Sequence, residues 1–292
     1  MTPAAPWQAA AVALLGGDPS GARWANLGGT PLNATWRLDV GLDRFFVKTN
    51  TAARLPMLQA EADGLRELAQ AAAIRVPAPA ACGAAGGVGL LALEWLTLSA
   101  GGRDAALGAG LARLHRTTAR AHGWRRDNTI GTTPQDNAWT GDWASFFRDR
   151  RIAPQLALAA RHGHGGRLQR DGGRLLAAIP ALLAGHAPVP SLLHGDLWPG
   201  NAARLASGEP VIFDPAVYFG DRETDLAMTE LFAGFGPDFH AAYAEMWPLA
   251  QGYATRRTLY NLYHVLNHLN LFGGGYRAQA DAMIASLLAS VR

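Results

Sequence analysis

A carboxylate and an amide stand five residues apart in the stretch SLLHGDLWPGN, residues 191–201. The carboxylate is Asp196 and the amide is Asn201. Phosphoryl transfer to a hydroxyl needs a carboxylate that orients and deprotonates the acceptor, and an amide oxygen that helps to hold Mg²⁺. The spacing Asp-x-x-x-x-Asn supplies both groups from one loop. We therefore predict that Asp196 is the catalytic base and that Asn201 is a metal ligand.

A second acidic residue, Asp214, follows the apolar stretch VIF. These β-forming residues predict a short strand, and Asp214 would lie at its end, where a second metal-binding carboxylate is expected. The alternative is a hairpin in which Asp196 and Asn201 only cap turns. The His-Gly pair before Asp196 and the strand before Asp214 favour the metal site. We expect the three groups to converge on one nucleotide-bound cation.

Lys48 is the only lysine among 26 basic residues. It ends the apolar stretch RFFVK, and Glu61 follows 13 residues later in a predicted helix. A strand lysine that binds the α- and β-phosphates, paired with a helix glutamate, is the other half of a phosphoryl-transfer site. The alternative is an exposed lysine whose stem covers apolar surface. Because arginine is used everywhere else, the retained lysine favours the phosphate-binding role.

Two backbone segments are weaker candidates for nucleotide binding. Gly28 and Gly29 precede a predicted hairpin and could cover phosphates with their N–H groups, although a lone Gly-Gly pair is not specific. Glu94, Trp95 and Leu96 end a buried apolar stretch, where backbone C=O and N–H groups could hold adenine. An ordinary strand end explains this second segment nearly as well.

Three further residues complete the predicted site. Trp198 lies two residues after the predicted base and is expected to form a flat wall against the acceptor. His194 precedes the catalytic Gly-Asp pair and is expected to support this loop. Asp225, in the stretch DRETDLAM, is expected to anchor the loop rather than to contact the substrate.

Two histidines, His264 and His268, are expected to form a packed or substrate-facing helix face rather than a zinc site. His264 and His268 stand at i and i+4, a spacing that could bind zinc, but no third ligand is evident. His115, in the stretch LARLHR, is expected to lie in the core. We therefore predict no zinc site from these residues.

The elements expected to position these residues change in type along the chain. A β-rich first third, residues 1–98, precedes a helix-rich remainder, residues 99–292. The first part should contain a short N-terminal helix, a Gly-rich turn, a hairpin, a helix, a Pro-rich connector and a buried strand. The expected segments are 1–20, 27–33, 34–49, 56–73, 74–83 and 88–98 in the first part, and helices at 105–119, 141–160, 172–186, 223–247 and 255–292 in the second.

Composition excludes several classes of protein. The 292 residues are 49% hydrophobic with a formal net charge of +3, and the arginines are scattered, so that no nucleic-acid-binding face is expected. Cys82 is the only cysteine, which excludes an internal disulfide framework. No charged start of a secretory signal and no membrane-length apolar run is present. We therefore expect a cytoplasmic protein without a membrane partner.

The chain resembles the fructosamine/ketosamine-3-kinase family, which is related to aminoglycoside phosphotransferases and distantly to protein kinases. The resemblance implies an α+β, two-lobed protein kinase-like fold with a small β-rich N-lobe and a larger helical C-lobe. It also implies ATP and Mg²⁺ as cofactors and phosphoryl transfer to the 3-hydroxyl of ketosamines, a deglycation activity. The motifs that carry the resemblance include FFVK at 45–48, EADGL at 61–65, LEWL at 93–96, TPQDN at 133–137, SLLHGDLWPGN at 191–201 and DPAVYFGDRE at 214–223.

Other interpretations remain open at this point. Some family members carry a cysteine in the Gly-rich loop that forms an intermolecular disulfide, but this chain has Thr30-Pro31 there, so no disulfide-linked dimer is expected. A related kinase acting on aminoglycoside, choline or homoserine would share the ATP-binding residues. A non-catalytic pseudokinase would be expected to lack some of Lys48, Asp196, Asn201 and Asp214, all of which are present.

Overall fold

The structure, a computed structural model, describes residues 6–29, 32–102, 104–232 and 234–291. It divides into two compact units, one formed by residues 1–102 with 203–214 and the other by residues 103–202 with 215–292. The expectation for Thr30-Pro31 lies outside the described residues. No helix in the described part of the chain is long and apolar enough to cross a membrane.

The first unit is built on a five-stranded antiparallel sheet with the strand order β1-β2-β3-β5-β4. A second sheet has the order β11-β10-β6, which brings residues 203–214 into this unit although the sequence placed them in the C-terminal part. The elements are α1 (Pro6–Leu14), β1 (Arg23–Gly29), β2 (Ala34–Val40), β3 (Asp43–Thr51), α2 (Leu55–Gln70), β4 (Pro79–Ala85), β5 (Val88–Glu94), β6 (Leu98–Ser99), β10 (Ala202–Leu205) and β11 (Pro210–Ile212).

Alternation along β3 assigns its side chains to two faces of the sheet. Val47 is fully buried in a cluster with Leu38 of β2 and Val12 of α1, and the rings of three tryptophans pack edge-on against one another beside it. Lys48 is the next residue and pairs in register with Leu91 of β5. Its side chain therefore points to the opposite face, towards α2.

The structure corrects two expectations for this unit. The Gly-rich turn predicted at 27–33 overlaps β1, which continues through Gly29, and the Pro-rich connector predicted at 74–83 contains the start of β4. Both are the edge strands of the sheet. Edge strands tolerate Gly and Pro because one side of their backbone needs no partner strand, so their sequences resemble turns and connectors.

The second unit is mainly helical, with a two-stranded ribbon of β9 and β12 and a hairpin of β7 and β8. The expectation of one helix over 141–160 is wrong in one detail, because a π-helical turn, Arg148–Ile152, separates α4 from α5. The elements are α3 (Ala105–Leu114), β7 (Asn128–Ile130), β8 (Thr133–Gln135), α4 (Trp143–Phe147), α5 (Ala153–Arg161), α6 (Arg167–Leu182), β9 (Ser191–Leu193), β12 (Tyr218–Gly220), α7 (Glu223–Thr229), α8 (Pro237–Met246), α9 (Tyr253–Phe272) and α10 (Gly275–Ala289).

Helix α9 is the central element of this unit and packs against α5, α7 and α10. Eleven of its 20 residues are buried, including His264. Burial, with the nearby charges of His268 and Arg151, lowers the pKa of His264 to about 3, although Asp225 acts in the opposite direction. His264 is therefore neutral in the folded protein at any ordinary pH.

The buried His264 makes the fold sensitive to acid. Between pH 6.5 and about 3 the unfolded chain binds a proton that the folded chain does not, so the free energy of unfolding falls as the pH falls. The expected contribution is about 1.4 kcal/mol per pH unit within this window. We predict that His264→Gln weakens this pH dependence relative to the wild type, measured by urea denaturation at several pH values. The control is His162→Gln, at an exposed position; an equal pH slope in wild type and His264→Gln would contradict the prediction.

Candidate active site

The predicted pairing of Lys48 with Glu61 is present in the first unit. Lys48 Nζ lies 2.7 Å from Glu61 Oε1 and 2.5 Å from Asp214 Oδ1, so that it bridges two carboxylates. The side chain of Lys48 is only 7% exposed, whereas that of Asp214 is 45% exposed. The ammonium group of Lys48 thus lies between the carboxylate of Glu61, which is 13% exposed, and the more accessible carboxylate of Asp214.

The electrostatics of this trio favour a charged lysine. Burial by itself lowers the pKa of Lys48, but the carboxylates of Asp214 and Glu61 outweigh it, so that the pKa lies above its usual value. Burial raises the pKa of Glu61, with the charge of Asp214 adding to it and Lys48 opposing it. Two carboxylates share one ammonium group here, and a further cation near Asp214 would relieve the excess negative charge.

Asp214 has an unusual backbone conformation, with φ of 58°. This left-handed region is costly for most residues, and Asp and Asn are among the few that tolerate it. Such strain occurs at functional sites when the surrounding structure enforces it. Asp214 thus tolerates this backbone conformation and also places a carboxylate at Lys48. A glycine would tolerate the conformation as well, but it would lack the charge.

The two predicted nucleotide-binding segments also lie in the first unit. The amide of Glu94 donates to Ala78 O, and the amide of Trp95 donates to Arg44 O. Among the three amides of residues 94–96, only that of Leu96 could therefore donate to an adenine ring. The carboxylate of Glu94 pairs with Arg75. At the other segment, the end of β1, the amide of Gly28 donates to Asn26 Oδ1, and Gly29 pairs with Ala34.

The second unit holds the loop that the sequence placed at the centre of the site. Asn201 Nδ2 donates to Asp196 O at 2.9 Å and to Asp196 Oδ2 at 3.3 Å, so the predicted base and metal ligand contact each other. The loop begins at the end of β9, which pairs with β12. Trp198, in the same loop, is 39% exposed. The convergence of Asp214 with Asp196 and Asn201 on one cation remains a prediction.

Asp225 anchors this loop through its backbone. Its Oδ2 accepts from the amide of His194 at 2.7 Å, and its Oδ1 accepts from the amide of Gly195 at 2.9 Å. Gly195 has φ of 81°, and a Cβ there would lie 2.1 Å from Ala216 O, so only glycine fits. Burial opposes ionisation of Asp225, but His115, His194 and the amide of Gly195 lower its pKa below the usual value.

His115 belongs to this anchor, which the sequence did not reveal. Its Nε2 lies 3.3 Å from Asp225 Oδ2, and its Nδ1 lies 2.8 Å from the hydroxyl of Tyr243, to which Arg222 donates at 3.1 Å. Burial lowers the pKa of His115, so the ring is neutral and carries one proton. Because Asp225 only accepts and Arg222 only donates, the network assigns that proton to Nε2 and makes Tyr243 the donor to Nδ1.

A cluster of His186, Asp221 and Glu223 is the one group of three or more potential metal ligands found among the described residues. Its atoms are already paired: Asp221 Oδ2 contacts His186 and accepts from the hydroxyl of Tyr260 at 2.6 Å. Glu223 forms a two-bond ion pair with Arg256. The cluster is therefore an ion-pair network that fixes the segment before Asp225. Of the two roles expected for His268, the structure shows packing: its ring stacks on Phe232, with the centroids 4.6 Å apart.

The fold of the chain is shared with solved structures of phosphotransferases. It is the two-lobed α+β fold of kinase-like phosphotransferases, as the sequence predicted. The crystal structure of aminoglycoside phosphotransferase APH(4)-Ia in ternary complex with ADP and hygromycin B shares this fold. Its TM-score is 0.64 and its identity 15%, over 98% of this chain and 99% of that one.

The family is narrower than the fold. The sequence model of the family described as "Fructosamine kinase" matches residues 12–290, and the chain belongs to this family. It is 47% identical to the "Probable ketoamine kinase" of Synechocystis sp., over 90% of this chain and 89% of the relative. It is 39% identical to the chloroplastic "Protein-ribulosamine 3-kinase" of Oryza sativa subsp. japonica, over 90% and 78%. The crystal structure of the "putative fructosamine-3-kinase" of Thermobifida fusca has TM-score 0.85 and 31% identity, over 97% and 98%. The chain is thus a kinase.

The chain of hydrogen bonds from Asp225 through His115 to Tyr243, called the relay below, should lose stability when the Tyr243 hydroxyl is removed. Tyr243→Phe leaves His115 Nδ1 without its donor in a fully buried position, which should lower the free energy of unfolding by about 1–3 kcal/mol. Urea denaturation measures this loss. The matched control is Tyr276→Phe, because the hydroxyl of Tyr276 has no hydrogen-bond partner among the described residues. If both variants were equally stable, the relay would not be needed to hold the anchor.

Proposed function

We propose that this chain is an ATP-dependent kinase that phosphorylates the 3-hydroxyl of ketosamines and thereby removes early glycation adducts from amines. The observation that carries the proposal is one family match, over residues 12–290, which includes the Lys48 trio and the Asp196 loop. The relatives named ketoamine kinase and ribulosamine 3-kinase support the acceptor class. We propose the cytoplasm as its compartment.

In this proposal the Lys48 trio, which consists of Lys48, Glu61 and Asp214, belongs to the nucleotide site. Lys48, held by Glu61 at 2.7 Å, neutralises charge on the α- and β-phosphates of ATP. Its burial strengthens this interaction, because charges attract more strongly away from water. The carbonyl groups of residues 94–96 and the amide of Leu96 hold the adenine.

The acceptor is activated by the loop in the second unit. Asp196 accepts the proton of the sugar hydroxyl as the hydroxyl oxygen attacks the γ-phosphorus, and the bond from that phosphorus to the β,γ-bridging oxygen of ATP breaks. Asp225 keeps the loop in place through the amides of His194 and Gly195. Such a reaction is accelerated mainly by positioning and by charge stabilisation. Trp198 presents its exposed indole to the ketosamine.

The residues present fit a magnesium ion. Mg²⁺ prefers oxygen ligands and is usually held by one or two carboxylates together with substrate phosphates. Asp214 offers an accessible carboxylate, and Asn201 offers its amide oxygen, since its Nδ2 is the atom that donates to Asp196. When bound, the ion would neutralise charge on the β- and γ-phosphates.

The acceptor class is tested by a panel of substrates. Purified protein with ATP and Mg²⁺ should phosphorylate fructose- and ribose-derived lysine adducts, and NMR of the product should place the phosphate on the 3-hydroxyl. An aminoglycoside, choline and homoserine serve as competing acceptors. Turnover of one of these in preference to the ketosamines would replace the proposed function with the related kinase activity. Absence of ATP turnover with every acceptor would favour a non-catalytic role.

The role of the base is tested by Asp196→Asn. Removal of a general base typically costs about 10²–10⁴ in rate, so turnover of the ketosamine should fall by this factor while ATP binding is largely retained. Steady-state kinetics measure the first effect, and titration calorimetry with ATP measures the second. A variant that turns over at the wild-type rate would show that another group accepts the proton.

The role of Asp214 is tested by its magnesium requirement. Asp214→Asn keeps a residue type that tolerates positive φ but removes the anionic ligand. The Mg²⁺ concentration for half-maximal activity should rise by about tenfold or more, since even outer partners of metal ligands have effects of this size. Asp171→Asn, an exchange of the same type on α6, is the control. An unchanged requirement in Asp214→Asn would remove this residue from the metal site.

A further inference from the structure

Gly200 lies directly beneath the ring of Trp198. A Cβ added to Gly200 would stand 2.3 Å from Cη2 and Cζ2 of the indole, and 2.7 Å from Cζ3. Real Cβ atoms do not approach other carbon atoms this closely. The indole thus folds back over the single-turn helix Pro199–Asn201, in the space that any other side chain at 200 would fill.

The backbone does not explain why this position is glycine. Gly200 is not among the glycines with positive φ, so its conformation is open to other residues. Gly195, five residues earlier, is different, because it has φ of 81° and its missing side chain makes room for backbone. At Gly200 the atoms in the way are the far end of one side chain, the indole of Trp198.

The same turn also carries Asn201. The amide of Asn201 donates to Trp198 O at 2.9 Å, and its side chain donates to Asp196. The indole and the Asp196–Asn201 pair are therefore attached to one short segment, with Gly200 between them. A change in how the indole lies on this turn alters the surface beside the base without changing the base.

We propose that Gly200 is a specificity-determining residue, because its missing side chain sets the position in which Trp198 meets the acceptor. This inference rests on the proposed function. An indole face offers an apolar surface to the carbon chain of a ketosamine and an electron-rich surface to its protonated amine. The outer part of the six-membered ring packs on the turn at Gly200, and Trp198 as a whole remains 39% exposed.

The direct test is Gly200→Ala. The added methyl group displaces the indole, which should raise KM for the ketosamine about tenfold, the worth of one aromatic contact to a cation. KM for ATP should stay at its wild-type value. The matched control is Gly141→Ala, in the same unit, where φ is not positive and no atom lies within 4 Å of the added Cβ. An unchanged KM for the ketosamine in Gly200→Ala would overturn the proposal.

A double-mutant cycle shows whether Gly200 acts through the indole. In a Trp198→Ala background there is no ring to displace, so Gly200→Ala should have no further effect on KM for the ketosamine. An equal effect in both backgrounds would mean that the methyl group acts on the loop itself, which contradicts the proposal.

A spectroscopic measurement tests the packing independently of turnover. The indole N–H resonance of Trp198, assigned by its loss in Trp198→Ala, should shift in Gly200→Ala and stay in place in Gly141→Ala. A resonance that does not move in Gly200→Ala would overturn the packing on which the proposal depends. Failure of the proposed function is distinct, because the wild type itself would then not phosphorylate the ketosamine.

Discussion

The arrangement of the loop that carries Asp196 depends on one buried carboxylate. Asp225 is 1% exposed, and a carboxylate in such a position is stable only when donors surround it. It receives two backbone amides, from His194 and Gly195, and the ring of His115. Because a movement of the loop would take the amides of His194 and Gly195 away from a buried charge, the loop before Asp196 has little freedom to take another conformation.

Two further acidic residues close to Asp225 are also buried and paired. Asp221 and Glu223, four and two residues before Asp225, are equally buried, and each is paired with residues from distant parts of the chain. Asp221 binds His186 and Tyr260, and Glu223 binds Arg256. Three acids in five residues thus connect several helices to the strand that pairs with β9. These pairs fix the backbone of the segment that leads to Asp225.

In the first unit, the acidic groups outnumber the basic group that they contact. Lys48 is shared by two carboxylates, and one of them, Asp214, is accessible and held in a strained backbone conformation. The second unit is electrostatically satisfied at its anchor, whereas this trio carries an excess of negative charge. In the proposed function, this excess negative charge is what attracts the magnesium ion. The acids of the second unit are buried and fix the loop, whereas Asp214 combines its contact to Lys48 with 45% exposure.

Local patterns in the sequence were sufficient for much of this protein. The β-forming stretches of β2 and β3, the continuous apolar run of β5, the spacing of Asp196 and Asn201 and the isolated lysine indicated a β-rich first part and the chemistry, because each of these signals is local in the sequence. The two-lobed fold followed from the family resemblance. Edge strands β1 and β4 were not recognised, since their Gly- and Pro-containing sequences do not alternate like central strands.

Contacts between distant residues were decided by the tertiary structure alone. Asp214 meets Lys48 across 166 residues, and the relay from Asp225 through His115 to Tyr243 joins positions that no spacing rule connects. The sequence determined which side chains could do the chemistry, because residue type and local spacing are written in it. Only folding decided which partners hold those side chains, because burial brings a charge next to whichever donors the packed helices supply. The contact between the indole of Trp198 and Gly200 was also decided by folding, since a glycine in a sequence does not reveal which side chain packs against it.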